Sequence, residues 1–90
     1  MLKIFYSSRF KKDYKQMIKR GCKVEDFKKV IEILAKNEPV PDKYRDHSLT
    51  GNYQGFRECH INPDWLLIYQ IDNDILTLTL TRTGTHSDLF

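Results

Sequence analysis

Apolar and polar residues alternate with two different periods along the chain, and the change of period divides the chain into elements. Alternation over residues 2–6 predicts a short first strand. Apolar residues then recur at helical spacing in two runs, Phe10, Tyr14, Met17 and Ile18, followed by Val24, Phe27, Val30, Ile31 and Leu34. Ser7 or Ser8 can cap the N-terminus of the first helix, and Gly21 can end that helix in a left-handed conformation. Pro39 is expected to end the second helix.

The second half of the chain begins with a predicted β-hairpin around the turn Asn62-Pro63-Asp64. Strand alternation places two sets of side chains on opposite faces of its first arm, Arg57, Cys59 and Ile61 on one and Phe56, Glu58 and His60 on the other. One face suits a core and the other suits a site. The second arm, residues 65–71, is apolar at nearly every position, as expected of a central strand.

A second turn, Asp72-Asn73-Asp74, leads into a last predicted strand over residues 75–82. Its leucines form an inward row consisting of Leu76, Leu78 and Leu80. Strand alternation would place Arg82 on the same face as these leucines, which is an unusual position for a guanidinium. We therefore expect the strand to end at Arg82 and its side chain to reach the functional site. The following Thr85-x-x-Asp88 resembles a capping box that would hold residues 86–90 near the sheet.

This order of elements predicts an α+β fold. An N-terminal strand, two antiparallel helices and three further strands would form a four-stranded, mainly antiparallel sheet with the helices on one face. The helices need an apolar surface to pack on, and the sheet is the only candidate. We interpret residues 41–53 as a connection and residues 1–90 as a single domain. The uncovered face of a normally twisted sheet would be concave.

Composition narrows the class of protein. Hydrophobic residues make up 40% of the chain, and no apolar run is long enough for a signal peptide or a membrane span, so we expect a cytoplasmic globular protein. The net charge of +3 is mildly basic, and the lysines crowding the first half suit a solvated helix surface better than a polyanion site. Cys22 and Cys59 lack paired-ligand spacing, so we expect two reduced thiols, at least one of them buried, and no metal or cofactor.

Several residues of the second half share chemistry suited to cutting RNA. Metal-free cleavage needs a base for the ribose 2′-hydroxyl, an acid for the departing 5′-oxygen and positive charge on the phosphate. Imidazole and carboxylate groups can transfer the protons, and arginine can supply the fixed positive charge. Aromatic rings can stack on the nucleobases. Each of these residues taken singly also suits a packing or surface role, and Trp65 suits the core equally well. The candidates are His47, His60, Asp64, Trp65, Arg82, His86 and Phe90.

Four segments resemble the YafQ branch of the RelE/ParE toxin superfamily. They are Asp46-His47-Ser48-Leu49-Thr50-Gly51, Arg57-Glu58-Cys59-His60-Ile61, Pro63-Asp64-Trp65-Leu66-Leu67-Ile68-Tyr69 and the closing Arg82 to Phe90. The resemblance runs the length of the chain, and the one visible departure is Thr85 where a serine is expected, which keeps the hydroxyl. It implies a toxin of a type II toxin-antitoxin pair.

The resemblance also implies an activity and partners. Such toxins are endoribonucleases that cleave mRNA, usually in the ribosomal A site beside the 16S rRNA, although some members act on free RNA. A DinJ-like or RelB-like antitoxin silences them, and the toxin-antitoxin complex can bind operator DNA through the antitoxin. By this similarity His47, His60, Asp64 and His86 carry the acid-base work, Arg82 holds the phosphate, and Trp65 and Phe90 position the substrate. Within that set we favour Asp64 as base and His86 as acid.

Two other functions fit the same scaffold. ParE-like members of the superfamily poison DNA gyrase, and this would leave the histidines and Asp64 without a role. A non-catalytic RNA-binding or regulatory module would need only the basic helices and would tolerate loss of the tail.

Overall fold

The computed structural model describes residues 1–90, and its elements follow the predicted order. The elements are β1 Lys3–Tyr6, α1 Ser8–Lys19, α2 Val24–Ala35, β2 His47–Ser48, β3 Arg57–Asn62, β4 Trp65–Asp72, β5 Thr77–Gly84 and α3 His86–Leu89. The five strands form one sheet in the order β1-β5-β4-β3-β2, in which β1 lies parallel to β5 and the other pairs are antiparallel. The α+β class is therefore confirmed.

The sheet has five strands, so the prediction of four was wrong. The additional strand β2 pairs His47 with Glu58 and Ser48 with Arg57. It lies in the segment interpreted as a connection, because a strand of two residues is too short to show an alternating pattern. This strand attaches His47 to β3, the strand that carries His60.

The two long helices begin and end where the local sequence predicts. The Ser7 hydroxyl accepts a hydrogen bond from the Phe10 amide at 2.9 Å and so caps α1. Gly21 follows the helix with φ +95°, a conformation that favours glycine. In α2, Glu25 and Asp26 occupy the first turn, where carboxylates interact favourably with the helix dipole.

The side chains of β4 divide between the two faces of the sheet. Trp65, Leu67 and Tyr69 face α1 and α2 and belong to the main core, whereas Leu66 and Ile68 belong to a second cluster on the other face. Leu89 of α3 completes this smaller cluster, with Leu49, Tyr53 and Phe56 packed around it. The face predicted to be uncovered is thus partly covered by α3 and by residues 49–56.

Strand β5 differs from the prediction at both of its ends. It begins at Thr77, and Leu76 lies in the preceding turn with φ +51° and 60% exposure, so Leu76 is not part of the inward row. Tyr69 pairs with Leu80 and Ile68 pairs with Arg82, which leaves Thr81 as an extra residue in a β-bulge. The bulge reverses the parity, so Arg82 faces the side opposite to Leu80 although the strand continues to Gly84.

The thiols agree with expectation. Both cysteines are free, Cys59 is buried and Cys22 is half-buried. Burial raises the pKa of the Cys59 thiol far above its ordinary value.

The helices are all too short or too polar to cross a lipid bilayer.

Candidate active site

The β3–β4 hairpin presents two of the predicted proton carriers beside each other. The Asp64 amide donates to the Asn62 side-chain oxygen at 3.0 Å, which fixes the turn, and the strand register shifts between His60 and Asn62. His60 stands at the last regular pair of β3, opposite Leu66, and Asp64 stands at the exposed bend. Turn chemistry therefore sets the position of the carboxylate relative to the imidazole.

A cleft of about 500 Å³ brings these two residues together with a third predicted group, His86. The cleft is lined by His60, Pro63, Asp64, Leu66, Thr85, His86 and Ser87. His86 is the first residue of α3, whose capping box holds it in place. In that box the Thr85 amide donates to the Asp88 carboxylate at 2.9 Å, and the Asp88 amide donates to the Thr85 hydroxyl at 3.2 Å.

The fourth predicted proton carrier, His47, reaches the same region through Glu58. His47 Nε2 lies 3.5 Å from Glu58 Oε1, and His60 Nε2 lies 3.8 Å from the same oxygen. The other ring nitrogen of His47, Nδ1, lies 2.8 Å from the Arg45 carbonyl oxygen. A carbonyl oxygen only accepts, so Nδ1 carries the proton and Nε2 is directed at the carboxylate.

Phe90 borders the cleft as an exposed aromatic surface. Its ring centroid lies 5.1 Å from that of His86 and 5.8 Å from that of Tyr53, and the residue is 54% exposed. Tyr53 also meets Phe56 edge-on at 6.2 Å, which anchors the group to the second cluster. An exposed ring held on one side by packed rings suits stacking on a nucleobase.

Arg82 lies outside the lining of this cleft and is paired with Asp13 of α1. Its Nε and Nη2 donate to the two carboxylate oxygens of Asp13 at 2.9 and 3.2 Å. The hydrogen bond to Asp13 raises the pKa of Arg82, with a smaller contribution from Tyr53. Arg82 pairs with Ile68, which shares the second cluster with Leu66 of the cleft wall, so Arg82 lies on the same face as the cleft and is held toward α1 by Asp13.

Residues 2–90 match a protein family described as bacterial toxin of type II toxin-antitoxin system, YafQ. The chain belongs to the YafQ family. The mRNA interferase toxin YafQ of Escherichia coli K12 is 40% identical over 88 residues, which cover 97% of this chain and 94% of the relative. The putative toxin YafQ of Haemophilus influenzae is 36% identical over 91 residues, which cover 96% and 89% of the two chains.

Solved structures agree over the whole chain. A metal-bound toxin from Helicobacter pylori is 47% identical with a TM-score of 0.93, and the match covers 100% of both chains. The toxin in an E. coli DinJ-YafQ complex is 38% identical with a TM-score of 0.90, covering 100% of this chain and 99% of the other. The family resemblance inferred from the sequence is thereby confirmed.

Among the residues that YafQ resemblance suggested for substrate positioning, Trp65 is placed differently from the prediction. Its ring is fully buried between the sheet and the helices, with its centroid 6.1 Å from that of Phe27 and 6.4 Å from that of Tyr14. Its indole nitrogen donates to the Thr83 hydroxyl at 2.7 Å, so its one polar group is satisfied internally. A buried ring has no face to offer a base, and the expected contact of Trp65 with substrate was wrong.

Glu58 is a candidate site residue that the sequence pattern did not single out in this YafQ family member. It is only 5% exposed, lies between two imidazoles and has a second carboxylate oxygen, Oε2, without a hydrogen-bond partner. A buried carboxylate oxygen without a partner is costly and is found mainly where function requires it. The alternation that placed Glu58 on the His60 face was the available signal. The histidine, cysteine and carboxylate side chains form no cluster of three that could hold a metal ion.

Proposed function

We propose that this YafQ-family toxin is an mRNA interferase, an endoribonuclease that cuts mRNA through attack of the ribose 2′-hydroxyl on the adjacent phosphate. The observation that supports this most is the convergence of His60, Asp64 and His86 on one cleft bordered by the exposed ring of Phe90. The E. coli relative is named an mRNA interferase. The protein would act in the cytoplasm, where its substrate is.

In the proposed reaction, Asp64 removes the proton from the 2′-hydroxyl as the new bond to phosphorus forms. His86 gives a proton to the departing 5′-oxygen as the old bond breaks. The products are a 2′,3′-cyclic phosphate and a 5′-hydroxyl, and no oxidant or reductant is needed. Asp64 and His86 fit these roles because both line the cleft.

The remaining groups of the proposed site hold the substrate and spread its charge. His60 and His47, linked by Glu58, would orient the ribose and phosphate, and Phe90 would stack on a base. Arg82 would neutralise the phosphate as it becomes pentacoordinate. In the free protein, Nε and Nη2 of Arg82 donate to the Asp13 carboxylate. Arg82 must therefore give up part of this ion pair in order to bind the substrate phosphate.

The proposed partners are a DinJ-like antitoxin and the translating ribosome. The E. coli protein forms a complex with DinJ, and this chain aligns with that toxin over its full length. We propose that the ribosomal A site aligns the mRNA for the cut.

The experiment compares Asp64→Asn, His86→Gln and Arg82→Ala with the wild type on transcripts with and without ribosomes, mapping the cut ends. We expect losses of about a hundredfold or more from each variant, because each removes a proton carrier or the phosphate cation. Asp74→Asn is the matched control for Asp64→Asn, since both aspartates donate their amide to an Asx side chain at 3.0 Å. Activity should persist in a chelator.

Two results would contradict the proposal. Wild-type cleavage by all three variants would leave the cleft without a catalytic role. Growth arrest with intact transcripts and broken DNA would indicate the gyrase-directed function instead. A 2′-deoxy substitution at the cut position should abolish cleavage, since it removes the attacking oxygen.

A further inference from the structure

Two smaller hollows adjoin the cleft and share its wall. They measure about 270 and 260 Å³, and His60 and Pro63 line both of them as well as the cleft itself. The three hollows therefore adjoin one another at His60 and Pro63, and His86 lines only the cleft. We call the two smaller hollows, whose walls include Lys29, Lys43 and Arg45, the basic groove.

The cations of the basic groove differ from the other positively charged groups near the site because they have no carboxylate partner. Arg82 is paired with Asp13, Arg57 with Asp46 and Arg20 with Asp88. Lys29, Lys43 and Arg45 form no salt bridge and are exposed, and the single carboxylate lining the groove is Asp26. The groove thus offers three free cations to an anion, whereas Arg82 is already neutralised by Asp13.

The backbone around Arg45 is built to present these groups. Arg45 follows the 3₁₀ turn Asp42–Tyr44 in the left-handed region, at φ 50° and ψ 41°, which is strained for a residue other than glycine. In this conformation its carbonyl receives the hydrogen bond from His47 Nδ1, at 2.8 Å, while its side chain lines the groove. Lys43 Nζ lies 5.0 Å from the centroid of the Tyr44 ring, a cation–π contact that holds it in place. One turn therefore couples the orientation of His47 to the cations of the groove.

From this geometry we propose that the basic groove binds the phosphodiester backbone of the RNA strand whose scissile phosphate occupies the cleft. The proposal rests on the proposed function and extends it with a second substrate site. Unpaired Lys and Arg side chains bind phosphates independently of base identity and fix the register of a strand. The strand would pass from Phe90 and His86, over His60, to Lys43, Arg45 and Lys29.

Binding is measured by fluorescence anisotropy with RNA carrying a 2′-deoxy substitution at the cut position, using a dinucleotide and a longer single strand. The groove variant combines Lys29→Gln, Lys43→Gln and Arg45→Gln. We expect the groove variant to bind the longer strand about tenfold more weakly than the wild type. The slope of log K against log salt concentration should become smaller in magnitude by about two, because three contacts to single-stranded phosphates are lost. Its affinity for the dinucleotide, which reaches only the cleft, should be unchanged.

The matched control removes the same charge elsewhere by combining Lys12→Gln, Lys23→Gln and Lys28→Gln, three exposed lysines outside the groove. This control variant should bind the longer strand like the wild type. The Arg45→Lys variant should do the same, because lysine keeps the positive charge. Circular dichroism melts of each variant establish that it is folded.

Four results would overturn the proposal: a groove variant that binds the longer strand like the wild type, an equal loss for the dinucleotide, an equal loss in the control variant, or no RNA binding by the wild type. Unchanged RNA binding combined with weakened antitoxin binding would assign the groove to an acidic protein segment instead. If wild type and groove variant both cleave RNA normally, only the groove proposal fails. If the wild type does not cleave, the proposed function fails as well.

Discussion

Glu58 combines two properties that conflict energetically. Its carboxylate is buried, yet Oε2 has no hydrogen-bond partner, and Oε1 approaches two imidazoles at 3.5 and 3.8 Å without a short contact to either. Burying an acceptor without a partner costs about 1–3 kcal/mol. A group kept at that cost beside His47 and His60 is best explained by the charge that it supplies to them.

We therefore expect Glu58→Gln to separate activity from stability. Cleavage should fall by about a hundredfold, because the imidazoles lose the anion that orients them. Stability should stay equal or rise by about 1 kcal/mol, because a neutral amide is less costly to bury than a carboxylate. RNA cleavage rates and urea unfolding of the same preparation measure both effects. Glu38→Gln, at an exposed carboxylate without an ion pair, is the control, and a variant that is both unstable and fully active would refute this interpretation.

The site could be predicted from residue types only where a residue's role depends on its own chemistry. His47, His60, Asp64 and His86 were selected as candidates because imidazole and carboxylate suit proton transfer, and the fold brings His60, Asp64 and His86 to one cleft. Trp65 could not be assigned in this way, because an indole suits a base and a core equally, and only packing against Phe27 decides between them.

At the scale of the element, α3 depends on a contact from outside itself. Four residues are too few for a helix to be stable alone. Arg20, which follows α1, donates to both carboxylate oxygens of Asp88, at 2.6 and 3.3 Å. This pairing and the Thr85 amide lower the pKa of Asp88 well below its ordinary value. The end of one long helix thus holds the short helix that carries His86.

Asp88→Asn should loosen α3 and reduce both cleavage and the midpoint of thermal unfolding at neutral pH. Because the pKa of Asp88 is lower in the folded state, its charged form stabilises the fold above the unfolded pKa of about 3.9, and that contribution is lost as pH falls toward the folded value. The gap in melting temperature between wild type and variant should therefore narrow below about pH 4.

Thermal melts across this pH range make the comparison, with Asp74→Asn as a control, because Asp74 is exposed and has no ion pair. A gap that widens in acid, or wild-type cleavage by Asp88→Asn, would show that the Arg20–Asp88 pair does not hold the site.

The long elements were predictable and the short irregular ones were not, for a physical reason. Helices α1 and α2 repeat an apolar period over 12 residues each, which leaves a clear pattern. The bulge at Thr81 inserts one residue into β5, and the Thr81 carbonyl accepts a hydrogen bond from the distant Ser7 hydroxyl at 2.7 Å. The bulge changes the face on which Arg82 lies, so that face could not be obtained from local alternation.

For the whole molecule, Cys59 provides a measure of global unfolding. It is fully buried in the main core, and burial raises the pKa of its thiol, whereas Cys22 is half-buried. We expect iodoacetamide to modify Cys22 in the native protein and Cys59 only through unfolding of the domain.

Mass spectrometry of each site over a urea series tests this, with Cys22→Ser as the single-thiol control. The Cys59 rate should rise with urea in parallel with the unfolding transition. Similar native rates at both cysteines would mean that the sheet opens locally beneath α2.

Strand β1 pairs with β5, with Lys3 opposite Thr77. Strand β1 can therefore join the sheet only after β5 has been translated. During synthesis on the ribosome, β1 emerges long before its partner, and the nascent chain holds its helices without a finished sheet beneath them. The cleft also needs His86 of α3, so the long-range closure of the sheet delays assembly of the cleft until translation has passed β5.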